Sequence, residues 1–553
     1  MTPSSSRIRE AGDSALLLEL EWRIDPEVNA RVIAIATVVR EAGIAGVRAV
    51  VPTFRSVAVF FDPLVTDAGL VAHVLREAQH AGPSKVQVPS RSIEVPIVYG
   101  GEHGPDLEQV AARAGISVQD VIERHVSRDY RVYMLGFLPG FAYLGMVDES
   151  IAAPRRPEPR LRVPAGSVGI AGVQTGIYPR ESPGGWQLIG RTPLEVFDPA
   201  RIPASAFAPG DRVRFIPASS RDLDAVSRPK ARTTADSTST LAGPARHIGV
   251  VKPGLLTTIQ DLGRWGHQTF GVPVSGPMDE VSHRLANLIV GNPSSAATLE
   301  ATVLGPELRI ETEAIIAVTG ADLGATLDGS PIPLNGAILC PAGSVLRCGE
   351  RLHGARAYVA FDGGIGTPPV LGSRATHAVG ELGGIGGRPL KAGDMIPLQS
   401  RSPASPRAKP RAAGPAATGG ARLRVLLGPQ DEFFAPAAVE TLQRTRFTIT
   451  AQSDRMGYRL AGRARIERAS QQEMISDATF IGGIQVPPSG DPILLMADRQ
   501  TSGGYPQIAT VIAADLSLAG QLAPGDWVEF QLCTRAEAIA ALAAQEARLL
   551  ALR

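Results

Sequence analysis

The chain has 553 residues, 44% of them hydrophobic and 20% charged. At roughly 100–200 residues per domain that is material for about three to five packed units, and it excludes a largely disordered polymer. Fifty-five basic against 54 acidic residues leave a formal charge of +1, so no field draws a polyanion and a dedicated nucleic-acid binder is excluded. Cys340, Cys348 and Cys533 frame neither a disulfide network nor a zinc site. The longest early apolar run, Val32 to Val39, falls far short of the ~20 residues of a bilayer span, so a cytoplasmic location is expected.

In chain order, Ala15 to Leu20 reads as a strand, and Asp25-Pro26 as an N-cap with Pro at N1 for a helix carried by Val28 to Arg40. Val47 to Val51 and Ser56 to Phe61 read as paired strands, followed by a helix near Asp67 to His80. This split β-α-β order predicts a small ferredoxin-like α+β domain over 1–90. A β-rich unit follows over 91–217, interrupted by a helix that Ser117-Val118-Gln119-Asp120 opens as a capping box, with Val121, Ile122 and Val126 as its apolar face. Residues 218–246 are polar enough to read as a linker. A second β unit spans 247–399 and contains a helix from about Asp279 to Val290, stopped by Gly291. A second linker covers 400–420, a third β unit 421–532, and Thr534-Arg535-Ala536-Glu537 caps a helix over 533–553 that reads as a packing or oligomer element, so a homo-oligomer is admitted.

Each β unit closes on the same signal. APGDRVRF ends at Phe215, KAGDMIPL at Leu398 and APGDWVEF at Phe530, in each case a Gly-Asp turn feeding a short alternating strand. Short strands among 59 glycines and 45 prolines suit barrels or sandwiches. The segment from Val173 to Pro179 echoes Arg499 to Pro506, and Pro164 to Val168 recurs as Pro341 to Val345. The echoes suggest related barrels with a ligand cleft between them.

No P-loop, nucleophile elbow or metalloprotease helix occurs, and Gly380 to Gly387 fails the dinucleotide pattern because Pro389 stands where its last Gly belongs. No Met-Lys dipeptide offers a biotin attachment, so biotin would have to arrive on a partner. The glycine-rich loops are the candidate ligand elements, because they bring backbone N–H groups close to an anion. If both halves contribute, contacts come from Phe141, Arg162, Gly166, Ser167, Gln174, Tyr178 and Trp186 in the first, and from Ser275, Asp279, Arg455, Gln485, Gly503 and Tyr505 in the second. Phe141, Trp186 and Tyr505 would supply flat apolar walls, and Arg455 and Arg162 the positive charge. No metal-ligating residues are assigned. His125 is the candidate acid/base, with a satisfied core histidine as the alternative; Asp498 is the second candidate base, with a surface ion pair as the alternative for it and for Arg455.

MLGFLPGFAYLG (134–145) and the segment from Pro154 to Pro193 resemble the KipI, or allophanate hydrolase subunit 1, family. VVKPGLLTTIQDLGRWGHQTFGVPVSGPMD (250–279), SDRMGYRL (453–460) and TSGGYPQIATVI (501–512) resemble its companion, the KipA, or allophanate hydrolase subunit 2, family. The resemblance implies a mainly β chain with α+β elements, built of tandem cyclophilin-like β-barrels. It further implies a fused B and C pair of an ATP-dependent 5-oxoprolinase, a small-molecule hydrolase that uses ATP with Mg and a LamB/YcsF-type A subunit. Two alternatives follow from the same resemblance: a biotin-dependent carboxyltransferase acting on urea or a related amide, with Asp498 and Gln485 orienting a planar nitrogen, and a non-enzymatic histidine-kinase regulator.

Overall fold

The computed structural model describes residues 7–81, 90–221, 223, 246–401, 419–469 and 473–552. The linkers expected at 218–246 and 400–420 lie almost wholly outside the described residues.

The N-terminal sheet orders its strands Arg7–Glu10, Ala15–Glu19, Ser56–Phe61 and Val47–Pro52, all antiparallel neighbours. Helices Pro26–Glu41 and Ala68–Ala81 pack on one face. Asp25 caps the first as its sequence predicts, accepting from the Glu27 and Val28 amides. Strand, helix and strand at 15–52 form a split β-α-β unit around 56–61. A ferredoxin-like order puts the fourth strand last, whereas here that edge is taken by the strand that precedes the unit.

Two closed seven-stranded barrels follow, one over residues 92–217 and one over 420–532. The strands of the first are Ser92–Tyr99, Asp129–Leu135, Ala142–Gly145, Ser167–Ala171, Gln174–Ile177, Gln187–Arg191 and Arg212–Pro217. Those of the second are Gly420–Leu427, Phe447–Ile449, Gly457–Gly462, Gly483–Gln485, Ile493–Leu495, Gln507–Val511 and Trp527–Leu532. In both rings the first and last strands of the barrel are parallel neighbours. Between the barrels, residues 247–397 form a six-stranded and a five-stranded sheet with helix Glu280–Ile289 packed across strands Ala314–Asp322 and His353–Phe361.

The three Gly-Asp closures are one device. Gly210, Gly393 and Gly525 have φ of 96°, 88° and 92°, a region where a side chain is strained. The following Asp carboxylates then accept from the amides of Ala208, Lys391 and Ala523 at 2.8, 2.7 and 2.9 Å. The other echoes need correction. Gln174 and Thr175 open the fifth strand of the first barrel, but Gln500 and Thr501 follow the fifth strand of the second. The equivalent segments are Ser182 to Gln187 and Ser502 to Gln507, each beginning in a two-stranded ribbon and ending on a buried glutamine that opens the sixth strand. Pro164–Val168 and Pro341–Val345 share only a turn, with Ser167 and Ser344 N–H bonded to the preceding proline carbonyls at 3.2 Å in unlike units.

Candidate functional site

Loops from both halves meet at one junction. The Gly136–Phe141 loop of the first barrel lies against Phe270 and Gly271 of the middle unit, where Gly140 N–H bonds to Phe270 O at 2.8 Å. A Cβ on Gly136 would run into Ser502 of the second barrel, and one on Gly380 would meet Pro139. Tyr143 lies close to Ser502, and Arg180 pairs with Glu381 at 3.0 Å. Three of the seven non-glycine residues with positive φ among the described residues sit here: Phe137 at 65°, Ser275 at 59° and Glu381 at 48°. Such backbone costs about 1–3 kcal/mol per residue and concentrates at functional sites.

Gly136→Ala is expected to pry this junction apart, lowering stability by about 1–3 kcal/mol as in other overpacked contacts. A second change, Ser502→Gly, should restore much of the loss in a thermal melt. Equal melting of single and double variants would show that the two loops are not in contact.

At the centre of the junction, Arg455 grips Asp498 with Nε to Oδ2 at 2.9 Å and Nη2 to Oδ1 at 3.1 Å, donates to Gly276 O at 2.7 Å, and pairs with Glu300. Glu300 also accepts from Tyr358 OH at 2.7 Å and from the Met278 amide at 2.8 Å. Burial, the largest single influence, raises the Asp498 pKa, but Arg455 together with the other polar neighbours holds the carboxyl below its ordinary value. Asp498 is thus a fixed counter-charge with both oxygens occupied, which corrects its expectation as a base.

His377, buried beside this pair, accepts the Gly380 amide on Nδ1 at 3.0 Å, so the neutral ring carries its proton on Nε2. Burial pushes its pKa down to about 4 against the pull of Asp498. At neutral pH it is an uncharged donor. Arg264, 1% exposed, donates to Ala375 O, while its Nε and Nη1 have no hydrogen-bond partner. Neither His377 nor Arg264 lies in a recognisable catalytic spacing: His377 precedes Gly380 to Gly387, which reads only as a failed dinucleotide loop, and Arg264 lies inside the 250–279 motif without a role of its own.

The other expected site residues divide sharply. His125 is fully buried inside the first barrel, bonded to Tyr99 OH at 2.7 Å and Thr175 Oγ1 at 3.1 Å and stacked on Phe215 at 4.6 Å. Side chains alternate along a strand: Thr175 faces His125 inside, while a Cβ on Gly176 would meet Phe141 and Trp186 on the other face. The barrel wall therefore separates His125 from the junction. With burial lowering its pKa to about 3, the expected acid/base role is withdrawn.

Phe141, Tyr178 and Trp186 pack edge to face, Phe141 lying 5.3 Å from Tyr178 and 5.4 Å from Trp186, so they cement the barrel rather than wall a ligand. Gly166 and Ser167 shape the turn into the fourth strand, and Gln174 opens the fifth. Arg162 is exposed and paired with Glu181 at 3.1 Å, which corrects its expectation as an anion contact. Asp279 is the N-cap of its helix, accepting from Ser282 N and Gln521 Nε2. Ser275 borders Asp498. Gln485 donates to Tyr505 O at 3.2 Å beside Gly503, leaving the Tyr505 ring half exposed.

Two closed barrels of like topology, a two-sheet unit between them and a buried polar junction shared by both halves define the class. Residues 6–207 match the family described as carboxyltransferase domain, subdomain C and D, and residues 270–532 match carboxyltransferase domain, subdomain A and B. The chain belongs to this carboxyltransferase-domain family, one branch in each half. Its second half is similar to the C subunit of 5-oxoprolinase from Escherichia coli, 37% identical over 295 residues, 53% of this chain and 94% of that protein. Its first half is similar to the B subunit of 5-oxoprolinase from Bacillus subtilis, 42% identical over 229 residues, 40% of this chain and 95% of that protein. The crystal structure of TTHA0988 superposes with a TM-score of 0.80 at 36% identity, covering 95% of this chain and all of that one.

Proposed function

We propose that the chain is the fused B and C component of an ATP-dependent 5-oxoprolinase, which opens 5-oxo-L-proline to L-glutamate with a LamB/YcsF-type A subunit. The observation that carries the reading is that one chain spans 95% of a B-type relative and then 94% of a C-type relative. A five-membered lactam is a stabilised amide whose hydrolysis needs coupling. When bound, ATP would supply a phosphoryl group to the lactam oxygen, which makes the ring carbonyl carbon electrophilic enough for water to add and the C–N bond to break, phosphate leaving from the opened chain in a second hydrolysis.

The residues fit that group: Arg264 Nε and Nη1, buried without partners beside the neutral His377, are donors for anionic oxygens. Arg264 would hold the phosphoryl oxygens, and His377 Nε2–H would donate to the lactam oxygen as it is polarised. Asp498 and Arg455 keep the surroundings rigid and charge-balanced. Among the described residues no group of three or more His, Cys, Asp or Glu is placed to hold a metal ion, so Mg belongs with the nucleotide in this reading.

The test is turnover by the purified chain with and without a LamB/YcsF-type A subunit. Release of ADP and glutamate dependent on 5-oxoproline is expected with the A subunit present. Absence of both, together with carboxylation of urea by added biotin carboxylase and biotin carrier, would replace this reading with carboxyl transfer.

A further inference from the structure

Helix Ala513–Gly520 of the second barrel has eight residues and no side-chain cap of its own, its N-cap position being Ile512. A helix this short is marginal by itself and opens as a unit, because the first turn costs more to form than each residue added to it. What holds this one comes from elsewhere in the fold.

Its N-terminus is closed by the first half of the chain. The turn at 11–14 of the N-terminal sheet lies against it, and Asp13, 1% exposed, accepts the Ala513 amide on Oδ2 at 2.8 Å. A Cβ on Gly12, whose φ is 76°, would run into Thr510. Arg535 of the C-terminal helix fastens the same turn, donating to Gly12 O at 3.1 Å and to Asp13 O at 2.8 Å. A carboxylate in this place satisfies one of the helix's orphan donors and meets the positive end of its dipole. Asp13 thus does the work of an N-cap from a different domain.

The C-terminus of the helix is closed by the middle unit. Arg356 Nη1 donates to Gly520 O at 2.5 Å and to Leu522 O at 3.1 Å. Gln521, 1% exposed, accepts the Ala355 and Arg356 amides at 3.0 and 3.1 Å and donates to Asp279 Oδ2 at 2.7 Å. The Asp279 amide in turn donates to Tyr358 OH at 2.8 Å, and Tyr358 donates to Glu300, the ion-pair partner of Arg455. The junction's charge network is therefore reached from the N-terminal sheet through one short helix.

We propose that Asp13 is a positioning residue, a cap supplied across the domain boundary, through which the seated N-terminal sheet holds helix 513–520 and with it Gln521, Arg356 and Asp279. The two halves are then coupled in free energy as well as joined by a linker. Such coupling is reciprocal: whatever frees one end of the helix loosens what is bound at the other.

The experiment is amide hydrogen exchange of the full chain, read by mass spectrometry in segments 10–14, 354–357 and 513–522, for wild type and four variants. Asp13→Ala is expected to speed exchange about fivefold in 513–522, the loss of one cap expressed as an opening constant, and by a similar factor in 354–357, where Gln521 holds two amides. Asp13→Asn keeps an acceptor oxygen of equal capping rank and should stay near wild type. Val57→Ala loosens the same sheet from its other face, against the helices, and should leave both distant segments unchanged. Gln521→Met should speed exchange in 10–14, as reciprocity requires. Faster exchange confined to 513–522 in Asp13→Ala, the same pattern in Val57→Ala, or an Asp13→Asn variant as fast as Asp13→Ala overturns the proposal. So does unchanged exchange of 10–14 in Gln521→Met.

Discussion

Arg455→Met is expected to destabilise the protein by about 3–5 kcal/mol, the cost of stranding a buried charge. Arg455 is the bidentate partner of Asp498 and also binds Gly276 O, so one side chain ties the second barrel to the middle unit. Glu300 would keep two donors, Tyr358 OH and the Met278 amide. Asp498 would lose its bidentate partner, and its carboxyl, now below the ordinary range, would move above it. The loss should therefore be larger at neutral than at acid pH, because protonation removes the stranded charge. Adding Asp498→Leu should return part of the stability, and the coupling in this double-mutant cycle separates the pair from the packing around it. A single-variant loss under about 1 kcal/mol, the range of exposed bridges, would mean that the pair is solvated.

Lowering the pH from 6.5 towards 4 is expected to unfold the chain steeply, because three histidines are buried as neutral rings. Burial pushes His125 down to about 3 and His283 and His377 to about 4. Their folded values lie below the unfolded value near 6.5, so below that pH the unfolded chain takes up protons that the folded chain refuses. Their stabilising effect is complete above pH 6.5 and is lost as the pH falls. Each contributes at most ~1.4 kcal/mol per pH unit, so together they amount to several kcal/mol by pH 5. His125→Phe, which keeps a ring on Phe215, should flatten the slope of stability against pH by about one third while leaving the turnover of folded protein intact. An unchanged slope would place His125 in contact with solvent, and lost turnover would return it to the reaction.

Local features were legible because their causes are local. Asp25 and Pro26, the Ser117 and Thr534 capping boxes and the Gly291 stop each specify a helix end through bonds within four residues, and all four occur. The Gly-Asp turns likewise carry their own hydrogen bonds. The helices Leu107–Ala114, Pro436–Arg444 and Ala513–Gly520 escaped notice. They are two to three turns of apolar spacing whose stability comes from the barrels they cover, and only Gly115, left-handed after the first, and Pro436, opening the second, mark their ends.

Residues adjacent in the chain were enough to fix the family, the mainly β class, the helix caps and the turn that closes each β unit. Long-range packing settled which side of a barrel wall a residue occupies. Thr175 and Gly176 are neighbours in sequence, yet one faces His125 and the other the aromatic cluster, because strand alternation sends them to opposite faces. Packing also set the correspondence between the barrels, where Ser182–Gln187 rather than the Gln174 segment answers Ser502–Gln507. Above all it settled charge compensation. Arg455 and Arg499 are both arginines in loops of the second barrel, and only the fold determines that one meets Asp498 while the other meets no acid, since pairing is a matter of distance through space and desolvation makes its absence costly.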